Sequence, residues 1–205
     1  MKALIKTSLL VGAFLLCAGN AMALSIAVND SVIMTAPTNG EKYLMQVNDD
    51  LFFNSFCLEK TKYFSSGGAY IVESVGMVAF SGGVDLSDLG PGDPVSEESI
   101  WLYASYFDGV FGTRTSALAD RVQNAIWHAE DEFDFTADFD YLTAFATSGF
   151  TVTGWDIQAV NLTNDDGYDI QSQLVGAPVP EPATMLLFGA GLAGLAGVSI
   201  RRRKK

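Results

Sequence analysis

The chain carries two cysteines and one histidine among 205 residues, and each scarcity closes off a chemistry. A zinc site or a Ser-His-Asp triad would have to use His128, and nothing near it in sequence supports either. Basic residues are scarce too: between Leu24 and Val179 only Lys42, Lys60, Lys62, Arg114 and Arg121 occur. Nearly all the acidic residues fall in that same stretch. Such an anionic segment argues against nucleic acid, whose phosphates need Lys and Arg. It fits a soluble extracellular surface, with divalent ions screening it.

The cysteine count acquires meaning from the N-terminus. Lys2 and Lys6 precede an apolar stretch from Leu9 to Leu16, and Ala21-Met22-Ala23 has the small-x-small form of a cleavage site. This reads as an export signal cut after Ala23. Lipoprotein processing before Cys17 would want small residues where Leu15 and Leu16 stand, so Cys17 is discarded with the signal. Cys57 is then a lone thiol in an exported protein, which suggests intermolecular pairing or a reactive sulfur.

At the other end, Val179-Pro180-Glu181-Pro182 precedes an apolar run from Ala183 to Ile200, closed by Arg201-Arg202-Arg203-Lys204-Lys205. The run has the length of a short membrane span, and the basic block marks its cytoplasmic end. Gly189, Gly191, Gly194 and Gly197 suit a membrane helix better than a soluble one. A Pro-Glu-Pro signal, a spanning helix and a basic stop in that order resemble the PEP-CTERM sorting signal of Gram-negative bacteria. That signal is also filed under an "ice-binding protein C-terminal" label, which does not imply ice binding. The resemblance implies an exosortase, a membrane transpeptidase-like protease, as processing partner. It also implies an inner-membrane anchor before processing and then a place at the cell surface or in the extracellular matrix.

The remaining chain, 24–176, is long enough for one domain with a real core. Ser31 to Thr35 and Lys42 to Val47 read as strands around an Asn39-Gly40 turn, and Leu51 to Leu58 as a buried strand carrying Cys57. Ala69 to Phe80 is a further strand with Gly76 as a bulge position, followed by loops at Gly82-Gly83 and Gly90 to Pro94. Helices are expected over 96–107, where Ser96 caps and Glu97 and Glu98 complement the dipole, and over 116–131 and 138–147. Phe150 to Leu162 and Tyr168 to Val175 return to strand through Asp166-Gly167, and Ala177 to Pro182 form a stiff linker. The expected class is α+β: a β-sandwich or barrel-like sheet with a small helical insertion, flanked by a cleaved signal peptide and a C-terminal transmembrane helix.

In the second helix Leu118, Val122, Ala125, Ile126 and Ala129 form one apolar stripe. Gln123 falls at its edge, where it is expected to be half-buried. Taken alone, a buried cysteine is often just a small apolar residue and a helix-edge glutamine is usually solvated. Together, Phe56-Cys57-Leu58-Glu59 and Val122-Gln123-Asn124-Ala125-Ile126-Trp127 resemble the thioester domain of bacterial surface adhesins. The resemblance implies an internal thioester between the Cys57 sulfur and the Gln123 side-chain carbonyl, with Trp127 shielding it. Thiolate nucleophilicity and an amide that loses ammonia account for those two residue types. Phe52, Phe53 and Phe56 are further candidate walls against water. An amine on a surface protein or matrix target would open the bond once, as a single acyl transfer and not as a turnover enzyme.

Two other readings stand beside this one. A non-covalent structural protein of the extracellular matrix would share only the sorting tail. A secreted hydrolase would use the acidic run Glu130, Asp131, Glu132, Asp134, Asp138 and Asp140, in which nothing selects two partners. That run is also a candidate calcium site, although its spacing matches no calcium loop; no cofactor is otherwise expected. Asn164-Asp165-Asp166-Gly167 resembles a calcium turn only in part, because Leu162 stands where a first ligand would be needed, and it reads as a hairpin.

Overall fold

The computed structural model describes residues 24–36, 41–80, 92–132, 142, 144, 145, 147, 152–179 and 191. The signal peptide, the Asn39-Gly40 turn, Gly82-Gly83, Asp134, Asp138, Asp140, most of the third helix and the apolar C-terminal run lie outside them. Leu142, Ala144, Phe145 and Thr147 of that third helix are helical. Among the described residues no helix is long and apolar enough to cross a membrane.

Alternating side chains fold the strands into a closed barrel. Its strands are β1 (Ser31–Thr35), β2 (Tyr43–Val47), β3 (Leu51–Cys57), β4 (Gly68–Gly76), β7 (Trp155–Thr163) and β8 (Asp169–Pro178). Around the barrel the order is β1-β2-β3-β8-β7-β4, closing back onto β1. The β1–β2, β2–β3, β3–β8, β4–β7 and β1–β4 pairs are antiparallel. Closure removes the sheet edges that an open sandwich would expose. One set of alternate residues fills the interior, among them Val32, Met34, Met45, Val47, Phe53, Val72, Val160, Leu162 and Val175.

The other face carries a second core. Phe56, Ile157, Ala159 and Leu174 point outward and are covered by helices α1 (Glu97–Phe107) and α2 (Ser116–Ala129), which lie between the strand groups as expected. Phe56 meets Tyr103 and Tyr106 of α1 edge-on, at ring-centre distances of 6.0 and 5.4 Å. Ser96 caps α1 by accepting from the Ser99 N–H, and Thr115 caps α2 by accepting from that of Leu118.

Several boundaries differ from the sequence expectation. The Ala69–Phe80 strand is two, β4 and a short β5 (Val78–Ala79). Its irregularity falls between Val72 and Ser74, not at Gly76. Asp93 and Pro94 are not loop but β6, paired with β5. Helix α2 stops at Ala129, where Glu130 caps it, and Asp131 then takes a positive φ of 54°. Strand β7 starts at Trp155, after Gly154 (φ +81°), because a left-handed residue breaks the extended run. Strand β8 runs on to Pro178 with Ala177 buried in the interior, so the linker begins later than Ala177.

Candidate functional site

The site arises where β2 runs out. The last β2–β3 pair is Tyr43 with Ser55, so two residues further along β3 Cys57 has no β2 partner. On its other side β3 pairs with β8, through bonds such as Leu58 N–H to the Ser172 carbonyl. Alternation along a strand then aims the N–H and C=O of Cys57 away from β8, toward the missing partner. Cys57 is fully buried, so both groups would be orphans without a substitute.

Gln123 of α2 supplies it. Its Oε1 accepts from the Cys57 N–H at 2.8 Å, and its Nε2 donates to the Cys57 carbonyl at 2.7 Å. One carboxamide thus imitates a strand residue and holds both backbone groups of the cysteine. Lys42, just before β2, pairs with Asp120 of α2 at 2.6 Å and ties the helix beside this gap. Gln123 is 1% exposed, not half-buried as its place on the helical stripe suggests. The end of β2 creates that burial, and it is a tertiary event.

A second gap along β3, at Asn54, is filled in the same way from α1. Continuing the β3–β8 register would pair Asn54 with Gly176, but the Tyr103 hydroxyl sits between them. It donates to the Asn54 carbonyl and accepts from the Gly176 N–H, each at 2.8 Å. Burial pushes the Tyr103 phenol well above its ordinary range, so it stays a donor.

The Cys57 side chain points into the barrel, beside its β8 register partner Gln173. Gln173 Nε2 lies 3.6 Å and Oε1 3.9 Å from Sγ. Ser55 Oγ donates to that Oε1 at 3.0 Å, and Nε2 also donates to the Gln171 carbonyl at 3.2 Å. Burial pushes the thiol up to about 12; contacts with Gln173 and Tyr43 pull it down. The resting sulfur is therefore a neutral thiol. Glu59, two residues on, is also buried and is pushed up to about 7 chiefly by burial. Its Oε2 accepts from the Ser172 N–H, while its Oε1 has no partner. Sequence reasoning missed Gln173, Ser55, Tyr43 and Glu59. The available signal was Gln171 and Gln173 at a period of two on a strand whose next inward residues are Val175 and Ala177.

Outside this cluster lies a cleft of about 240 Å³ lined by Ala36, Tyr43, Lys60, Tyr63, Phe64, Ser66, Trp127 and Gln171. Tyr43 borders both the cleft and the thiol, and Trp127 stands one helical turn beyond Gln123. Neither Cys57 nor Gln123 is among the residues that line the cleft; it meets the pair through Tyr43 and Trp127. Trp127 is partly buried, and its indole N–H is buried without a partner. Of the other expected walls, Phe53 lies in the barrel interior and Phe56 under the helices, whereas Phe52 is 58% exposed and shields nothing. Its even position on β3 turns it outward, beyond the helices.

Among the described residues no group of three or more His, Cys, Asp or Glu could hold a metal ion. Glu130 is committed to the fold, accepting from both the N–H and the hydroxyl of Ser96. The Asn164–Gly167 segment is a hairpin: Asn164 Oδ1 accepts from the N–H groups of Asp166 and Tyr168, and Gly167 takes a φ of +77°.

Residues 178–204 match the model of the PEP-CTERM protein-sorting motif. Val179 at its start is described and exposed; Pro180, Glu181 and Pro182 lie outside the described residues. The motif implies export, association with the membrane and processing by an exosortase. No curated protein matches the chain. A similar solved structure is the N-terminal thioester domain of a surface protein from Clostridium perfringens. It is 11% identical with a TM-score of 0.47, over 72% of this chain and 97% of that one.

Proposed function

We propose that this exported protein forms an internal thioester between Cys57 and Gln123 and uses it to capture an amine covalently, as an adhesin or matrix cross-linker. The observation that carries the reading is the clasp of the Gln123 carboxamide on the Cys57 backbone, buried and 2.8 and 2.7 Å long. It keeps the acyl carbon beside the residue whose sulfur must attack it, the kind of positioning that replaces a bimolecular encounter. Sγ bonds to the Gln123 side-chain carbon, the bond from that carbon to Nε2 breaks, and the thiol proton leaves with the nitrogen as ammonia. A primary amine entering by the cleft then bonds to the same carbon. The C–S bond breaks, and the amine's proton passes to the sulfur, leaving an amide and a free thiol. Burial of both partners keeps bulk water from competing.

Intact-mass measurement tests this. The exported chain should weigh one ammonia less than its sequence. That loss should vanish in Cys57→Ala and Gln123→Ala, and methylamine should be captured at Gln123. A full-sequence mass with a titratable thiol in fresh protein would leave the non-covalent matrix protein as the better reading.

A further inference from the structure

The Gln123 clasp accounts for the acyl carbon but leaves unexplained why buried polar side chains surround the sulfur. Gln173, Gln171 and Ser55 point into an interior otherwise filled by Met45, Phe53 and Val175, where each polar group costs stability unless it is partnered. The partners of Gln173 can be counted. Its Oε1 takes the Ser55 hydroxyl at 3.0 Å, with the thiol farther off at 3.9 Å, and one hydrogen of Nε2 goes to the Gln171 carbonyl. The second hydrogen has the Cys57 sulfur at 3.6 Å. A carboxamide fixed from two sides therefore presents a donor to a thiol.

We propose that Gln173 is a second catalytic residue: its N–H stabilises negative charge on Cys57 Sγ while the sulfur attacks the Gln123 carbonyl, and again when an amine expels it. This inference rests on the thioester reading. Charge on the sulfur is opposed by its surroundings. Burial disfavours the thiolate and Glu59 repels it; Tyr43 from β2 and Lys42 before that strand favour it, with Gln173 ahead of both. A donor to the departing sulfur lowers the barrier in both directions without becoming part of the product. In formation the S–C bond replaces the C–N bond of Gln123 and ammonia carries off the thiol proton. In opening, the amine's C–N bond replaces S–C and its proton returns to the sulfur.

The test uses the full chain with Gln173→Leu, and with Ser55→Ala, which removes one of the two anchors of Gln173 and leaves the Gln171 carbonyl in place. Gln173→Leu should slow opening by methylamine about tenfold, the worth of one hydrogen bond to a charged atom. In the methylamine-opened protein, the pH profile for alkylation of Cys57 should move up by about one pH unit. Ser55→Ala should move both in the same direction by less. Normal ammonia loss with unchanged opening rate and pH profile in both variants overturns the role of Gln173 and leaves the thioester standing. Methylamine recovered on Gln173 overturns it as well, by making Gln173 the acyl donor. A wild-type chain without ammonia loss overturns both.

Discussion

Cys57→Ala and Gln123→Ala should abolish the thioester equally yet differ in stability, because Gln123 also completes a strand. In Cys57→Ala the carboxamide still holds the backbone N–H and C=O of residue 57, so the loss is one buried sulfur and its long contact from Gln173, about 1 kcal/mol. Gln123→Ala leaves both backbone groups buried and unpaired, at roughly 1–3 kcal/mol each. The two variants should therefore be separated by about 3 kcal/mol, with Cys57→Ala the more stable. For a domain of this size that is roughly 6–12 °C in melting temperature. Neither variant can form the thioester, so the comparison is free of the cross-link's own contribution. Urea titration of both, with equal slopes, gives the difference directly. Equal midpoints would refute the claim that the carboxamide substitutes for a missing strand.

Gly176→Ala should destabilise the domain by about 2 kcal/mol, since the new Cβ would meet Tyr103 Cε1 at 2.6 Å and Ile157 Cγ1 at 2.9 Å; thermal denaturation measures it. Glu59 titrates near 7 in the fold against 4.5 outside it, so its contribution is complete below 4.5 and lost as pH rises through 7. Wild type should lose roughly 3 kcal/mol more than Glu59→Gln between pH 4.5 and 8 in denaturant titrations. Asp93, also pushed up to about 7 by burial and by Glu130, adds a pH dependence of the same sign that this substitution leaves in place. Trp127→Ala should leave ammonia loss intact but shorten the thioester's lifetime in water about tenfold or more, followed as regain of one water in mass.

Much of the barrel was legible because its strands alternate. The Ser31–Thr35 strand and the hairpin at Asn164–Gly167 need only local signals, and the Ser96 cap needs one side chain and a nearby N–H. A barrel-like sheet was one of the two expected forms, but the pairings that close it were not legible, because β1 pairs with β4 and β3 with β8 across long stretches of sequence. The site divides along the same line. Cys57 and Gln123 are conspicuous as residue types, but the depth of Gln123 follows from where β2 stops. Gln173 meets the sulfur only through a register joining residues on opposite sides of the helical insertion. Phe52 looked like a wall because aromatic residues crowd that strand, and strand parity turns it to solvent.

The most direct test is the mass of freshly exported protein before and after methylamine, with the modified residue located by fragmentation. Loss of one ammonia, followed by methylamine on Gln123 and a newly free Cys57, is the predicted result. An unmodified mass and an inert Gln123 would contradict the account.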